Sequence, residues 1–337
     1  MVKIASSSNQ SSAAFKPGLL VALLTAASFL LLSLASSFAA PRDYPYRITA
    51  TVGMVADIAR NVAGDKAEVK AIMGPGVDPH LYKPTRDDVD AMMRSDVVLY
   101  SGLMLEGKMT DVLRKLARSK PVHAVAAAIA EERLLRPEGS GGHPDPHVWM
   151  DPSMWAEATE ATGRLLALYD PTNAQHYQRN AATFAAACRQ LHEYGRKVLS
   201  SIPERKRVLI SSHDAFGYFG RAFGIRVLGV QGISTESEAG LRRINELADL
   251  IVNNGVEAVF VESSVPRRNI EALVQGVRAR GHRLQIGGEL FSDAMGPAGT
   301  YEGTYIGMLD HNITRVATAL GGLAPQTGMQ GKLAKDN

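Results

Sequence analysis

Between Pro171 and Ile202 the chain reads PTNAQHYQRNAATFAAACRQLHEYGRKVLSSI, and the reading of this stretch decides the fold. It carries no strand signal. Asp170-Pro171 offers an acidic N-cap and a proline at the first helical position, and Pro203 stops the segment. Apolar residues recur at Tyr177, Ala181, Phe184, Cys188, Leu191, Val198 and Ile202, at steps of three, four or seven. Those steps keep one stripe on one helical face. At 1.5 Å per residue the helix would be roughly 45 Å long, the span of a small protein. A stripe that runs its whole length predicts packing from end to end, so the helix reads as a strut joining two lobes.

On both sides of the strut short β-branched runs alternate with amphipathic stretches. Arg47–Val52, Glu68–Met73, Asp96–Tyr100 and Pro121–Val125 read as strands, with helices at Met54–Ala63, Arg86–Arg94 and Lys108–Ser119. The rhythm returns with strands at Arg207–Ser211, Arg226–Val230, Ala258–Val261 and Arg283–Ile286. Helices follow at Asp214–Phe223, Glu238–Asn253, Arg267–Ala279 and Glu302–Leu320. Strand-then-helix alternation predicts parallel sheets with helices on their faces. The expected fold is α/β: two lobes, 40–170 and 203–325, each a mostly parallel sheet flanked by helices. One long rigid backbone helix, 171–202, joins them, and 326–337 forms a tail.

Residues 1–39 read differently. Lys3 and Lys16 are their only charges, the run from Gly18 to Ala35 is apolar or small, and Ser37-Phe38-Ala39 supplies small residues for cleavage. That is the pattern of a secretory signal peptide. Lipid attachment would need a cysteine directly after the apolar run, and the one cysteine is Cys188. The expectation is therefore a periplasmic protein of a Gram-negative cell that is not a lipoprotein. A single cysteine also rules out an intramolecular disulfide. The chain of 337 residues is 45% hydrophobic and 21% charged, which suits two ordinary cores. Its formal charge of +3 includes Lys3 and Lys16, so the remainder is close to neutral and gives no support for nucleic-acid binding.

Of nine histidines, His176, His192, His282 and His311 lie on polar stretches or at helix ends, and His123 lies within a strand. None of these five is assigned a metal role. His80 and His213 each follow a strand and precede a helix, and His147 lies just ahead of another helix. Asp293 follows the strand ending at Ile286. Ligands of open parallel sheets bind outside the carboxyl ends of the strands. Three imidazoles and a carboxylate suit a borderline first-row ion, and four protein ligands fill a tetrahedral site without leaving a position for activated water. The gaps between these residues are too long for a local motif, and HExxH is absent, so spacing alone leaves the set open.

The surrounding residues resemble those of the zinc/manganese solute-binding proteins of bacterial ABC importers. Gly76-Val77-Asp78-Pro79-His80-Leu81-Tyr82 looks like that family's first ligand loop. Asp145-Pro146-His147-Val148-Trp149-Met150-Asp151-Pro152 looks like its second, and Ser212-His213-Asp214-Ala215-Phe216-Gly217-Tyr218-Phe219 like its third. Gly287-Gly288-Glu289-Leu290-Phe291-Ser292-Asp293-Ala294-Met295 resembles the fourth, nearest to the treponemal zinc/manganese pattern. Val261-Glu262-Ser263-Ser264-Val265-Pro266 is also shared in kind, without a ligand. The resemblance spans the mature chain in order. It implies that His80, His147, His213 and Asp293 are the metal ligands and that a stiff helix joins the lobes. It further implies one Zn2+ or Mn2+ carried as cargo, delivery to an inner-membrane permease with its cytoplasmic ATPase, and a monomer.

His213 stands where many manganese-selective members have glutamate, which leans toward zinc. The loop Arg136–Pro146 is short and holds only His143, unlike the histidine-rich loops of many zinc-specific members. A secreted metallohydrolase would need an open coordination position and a base, for which only Glu262 and Glu289 can be nominated. A surface adhesin is a further reading, disfavoured by the lack of an anchoring cysteine. Neutral imidazoles are required of the ligands, so affinity is expected to fall below about pH 6.5.

Overall fold

The computed structural model describes residues 43–138 and 140–334. The expected signal peptide, residues 1–39, lies outside them, as do the last residues of the tail. The segment Tyr44–Asn337 clusters as one compact unit.

In its first half, β1 (Tyr46–Ala50), β2 (Ala67–Ala71), β3 (Val97–Tyr100) and β4 (Val122–Ala124) form an all-parallel sheet in the order β2-β1-β3-β4. Val97, Val98 and Leu99 in the interior strand β3 are buried, as expected of a sheet covered on both faces. The edge strand β2 instead alternates, turning Glu68 and Lys70 to solvent, which blunts it against pairing with another chain. The crossover helices are α1 (Gly53–Ala63), α2 (Arg86–Arg94) and α3 (Thr110–Leu116). Thr85 opens α2 with a capping box, its hydroxyl accepting Asp88 N–H while the Asp88 carboxylate accepts Thr85 N–H.

Next comes α4 (Pro152–Tyr169), an 18-residue helix that was not delimited from the sequence. Asp151 caps it by accepting Ser153 N–H at 2.9 Å, and Pro152 opens it. Its buried residues include Met154, Trp155, Ala158, Thr159, Thr162 and Gly163, a wide face that mixes polar and small residues with apolar ones, so periodicity is a weak guide. The strut α5 spans Ala174–Leu199, 26 residues, or about 40 Å. A 3-10 turn, Pro171–Asn173, precedes it. Asp170 does not cap it through its side chain: Oδ2 accepts the hydroxyls of Tyr44 and Tyr177 at 2.8 and 2.6 Å and Asn173 Nδ2 at 2.9 Å. Tyr177, Ala181, Phe184, Cys188, Leu191 and Val198 are all buried, as is Ile202 beyond the helix.

The second half contains β5 (Val208–Ser211), α6 (Gly217–Phe223), β6 (Arg226–Gly229) and α7 (Leu241–Asn254). It continues with β7 (Ala258–Glu262), α8 (Arg268–Ala279), β8 (Gln285–Leu290) and α9 (Tyr305–Ala319). β5 pairs with β6 and β7 with β8, both in parallel, and β5 lies beside β7. Strand β8 runs four residues beyond the expected Ile286. A register shift between Val259 and Phe260 accommodates Gly287, where an added Cβ would lie 2.7 Å from Ala319 Cβ. α5 packs against α1 and α4 of the first half and α6 and α9 of the second. One hydrophobic cluster accordingly runs from Tyr46 through Trp155 and Leu191 to Val316, and a smaller one, around Leu247, Val259 and Leu273, fills the space behind β7. Among the described residues no helix is long and apolar enough to cross a membrane.

Candidate metal centre

His80, His147, His213 and Asp293 come together with one ligand atom from each inside a 4.8 Å span. All four are buried. His80 stands in the loop between β2 and α2. His147 immediately precedes the 3-10 turn Val148–Met150 that leads into α4. His213 follows β5 and Asp293 follows β8 by a few residues, so two of the four extend strands of the second half.

The two Asp-Pro-His segments fold alike. Asp78 Oδ1 accepts His80 N–H at 2.9 Å, and Asp145 Oδ1 accepts His147 N–H at 2.9 Å. Each carboxylate thus closes an Asx turn that projects the histidine two residues on. Asp145 Oδ1 also lies 2.7 Å from His147 Nδ1. His213 receives the same treatment from a distance: Glu262 Oε1 accepts its backbone N–H at 2.8 Å, and Oε2 lies 2.5 Å from its Nδ1. With both Nδ1 atoms committed as donors to carboxylates, the neutral rings turn unprotonated Nε2 atoms toward the centre.

There His147 Nε2 is 3.3 Å from His80 Nε2 and 3.4 Å from His213 Nε2. Asp293 Oδ1 lies 3.3 Å from His147 Nε2, and its Oδ2 lies 3.2 Å from His213 Nε2 and 3.7 Å from His80 Nε2. A tetrahedral ion with ligands at 2.0–2.1 Å has edges of about 3.3–3.4 Å. Five of the six edges, those other than His80–His213, straddle that value. The cluster could hold one metal ion. Trp149 ties two of its walls together, its ring edge-on to His147 and its Nε1–H donating to Ser292 O at 2.9 Å.

Electrostatics separate the four residues. Burial alone would lower the pKa of His147, but the Asp145 and Asp293 carboxylates overcome it and raise the value to about 9. For His213, burial is likewise outweighed, by Glu262 and Asp293, and the ring is held well above its usual range. Burial raises Asp293, yet His213 and His147 hold its carboxyl well below the usual range. His80 differs, since burial dominates and pushes it down to about 4 despite the pull of Asp293. The carboxylates therefore favour the protonated forms of His147 and His213, and a dication held at the cluster would offset the same three carboxylates.

Asp145 was missed, and Glu262 was nominated only as a base, not as the partner of His213. Asp145 had a local signal, two positions ahead of His147. Glu262 had only its place at the end of a strand, and its carboxylate lies behind His213, away from the Nε2 face. Glu289, the other nominated base, is exposed on β8. His176 meets Ala63 O, His282 meets Val256 O and His311 meets Glu289 O. His192 lies 3.3 Å from Asp151. His123 is half-buried in β4. His143 lines a cavity of about 480 Å³ that His80 also lines.

Residues 48–319 match the family described as "Zinc-uptake complex component A periplasmic". The manganese-binding lipoprotein MntA of Bacillus subtilis is 44% identical over 305 residues, covering 90% of this chain and 99% of the relative. The zinc-binding protein TroA of Treponema pallidum is 45% identical over 273 residues, covering 81% and 88%. The solved structure of the periplasmic zinc-binding protein TroA from Treponema pallidum superposes with a TM-score of 0.79 at 44% identity. It covers 82% of this chain and 99% of that one. The expectation of a periplasmic protein that is not a lipoprotein is corrected by these findings. MntA is named a lipoprotein, as are the streptococcal relatives FimA and PsaA. The expectation rested on the place of one residue type in a stretch outside the described residues, and neither an unanchored state nor a compartment follows from that.

Proposed function

The chain belongs to the zinc-uptake component A family of metal-binding proteins that serve ABC importers, and from that premise we propose that His80, His147, His213 and Asp293 hold one zinc or manganese ion as cargo. The observation that carries the reading is the convergence of three imidazoles and a carboxylate, one ligand atom from each lying within 4.8 Å of the others. Residues 40–170 and 203–325 act as two lobes joined by 171–202, with 326–337 as a tail, so the ion is captured between ligand pairs from each lobe. The receptor works as a monomer that presents the loaded site to a membrane permease driven by its ATPase.

The relatives are transport-associated binding proteins, and this chain is not an enzyme. Four protein ligands complete a tetrahedral shell, which leaves no coordination position for an activated water. Glu262, held against His213 Nδ1, supports ring orientation rather than acting as a base. Three imidazoles favour zinc over manganese in affinity by the Irving–Williams order. Binding requires neutral Nε2 lone pairs, so the protons of His147 and His213 leave as the ion enters, and Asp145 and Glu262 keep both rings aimed.

Elemental analysis of the untagged protein, then calorimetric titration of the stripped protein with zinc and with manganese, tests this. The expected result is one equivalent of metal, lost in His213→Ala and Asp293→Ala. A stripped protein that gives no titration heat with either ion overturns the assignment.

A further inference from the structure

The loop between β6 and α7, residues 230–240, supplies none of the four converging side chains, yet it touches the segments that carry two of them. At its root, Gln231 N–H donates to Ser212 O at 2.9 Å and Gly232 O accepts Asp214 N–H at 3.2 Å, so the loop grips His213 from both neighbours. At its tip, the buried Thr235 donates its hydroxyl to Asp78 Oδ2 at 2.6 Å. The other oxygen of that carboxylate closes the Asx turn on His80 N–H. Glu236, next in the chain, pairs with Lys108 of the first half, and Gln231 Nε2 donates to Ser237 O at 3.1 Å to fold the loop on itself.

His80 is the member of the four that most needs such help. Among the described residues, carboxylates fix the Nδ1 atoms of His147 and His213, whereas His80 is fixed through its backbone N–H alone. It is also the most exposed of the four, at 5%, and lines the 480 Å³ cavity beside His143. Its Nε2 also lies farther from Asp293, at 3.7 Å, than those of His147 and His213, at 3.3 and 3.2 Å. An ion leaving the site would therefore part first from His80. For His80 to swing away, the turn at Asp78 must move, and Thr235 restrains that turn from the other half of the molecule.

We infer that Thr235 is a positioning residue that locks the His80 loop against the second half and sets the rate at which metal is let go. The inference rests on the proposed metal site. The Thr235 hydroxyl contacts no metal and no ligand side chain; it acts through Asp78. Loss of the hydroxyl leaves a half-buried carboxylate short of a donor, which loosens the turn without removing a ligand. The Lys108–Glu236 pair beside it is solvent-exposed and adds little.

The test is stopped-flow release of zinc from the reloaded full chain to a chromophoric chelator, with association measured in parallel. Thr235→Val and Thr235→Ala are each expected to bind one equivalent, to associate at the wild-type rate and to release zinc about tenfold faster. Tenfold corresponds to about 1.4 kcal/mol. Thr235→Ser restores slow release, and Lys108→Ala stays within twofold of wild type. Unchanged release in whichever of the two apolar variants folds, or an equal change in association and release, overturns the inference while leaving the metal site standing. Wild-type protein that takes up no zinc overturns the site itself and the inference with it.

Discussion

Glu262 grips His213 by two atoms at once, taking the backbone N–H through Oε1 at 2.8 Å and facing Nδ1 through Oε2 at 2.5 Å, from 49 positions further along the chain. Its carboxylate has no part in the cluster of Nε2 atoms, yet it meets the opposite nitrogen of the same ring.

Glu262→Gln keeps the size of this partner but removes its charge, and an amide serves one of the two bonds less well. Zinc affinity is expected to fall 10- to 100-fold, the usual range for an outer-shell partner of a ligating histidine, with stoichiometry unchanged. Competition titration against a chelator of known affinity reads this directly. Affinity within threefold of wild type would show that Glu262 is not aiming the ring.

The pH dependence should follow His147. Its folded value of about 9 lies above that of a free imidazole, so in the metal-free protein its contribution to stability is full below about pH 6.5 and is lost as pH rises through about 9. Zinc competes with that proton, so the rise in melting temperature on adding zinc should grow from pH 6.5 to 8.5. The free-histidine expectation of a fall only below pH 6.5 is thereby moved upward. His80 carries the opposite sign: its value of about 4 gives stability present above about pH 6.5 and lost as pH falls through 4. A zinc-induced shift that is flat between pH 6.5 and 8.5 would contradict the proton exchange.

Packing of α4 on α5 should tolerate no added bulk at Gly163. A Cβ there would lie 2.5 Å from Ala181 Cβ and 3.3 Å from Tyr177 O, the latter in the backbone of α5. Alanine is the better helix former by about 1 kcal/mol. Overpacking costs roughly 1–3 kcal/mol, so Gly163→Ala should be net destabilising or at best neutral. Urea unfolding of the metal-free protein measures it, and a stabilised variant would mean that the two helices slide apart easily.

Much of this was legible in the residues. The stripe from Tyr177 to Val198 is visible because one side of α5 faces water and the other does not. The strands leading to His80 and His213 are visible because β-branched runs stand out. α4 was less visible, since its buried face is wide and includes Thr159, Thr162 and Gly163, which blunts the contrast. β8 was cut short at Ile286 because Gly287-Gly288 has poor strand propensity; what keeps it extended is close contact with Ala319, which only the assembled structure reveals. Asp170 looked like a cap, but three side-chain donors claim its Oδ2. The partners of the histidine Nδ1 atoms divide the same way. Asp145 is adjacent in sequence, while Glu262 reaches His213 only through the side-by-side placement of β5 and β7.

The continuity of the core through α5 has a mechanical consequence. Side chains from Tyr177 to Leu199 are wedged between helices of both halves, so parting those halves like jaws would bare that whole seam to water at about 25 cal/mol per Å² of apolar surface. Rearranging a turn held by a few polar bonds costs far less. If the proposed site carries the cargo, unloading would mean undoing a fastening at the rim rather than prising open the body.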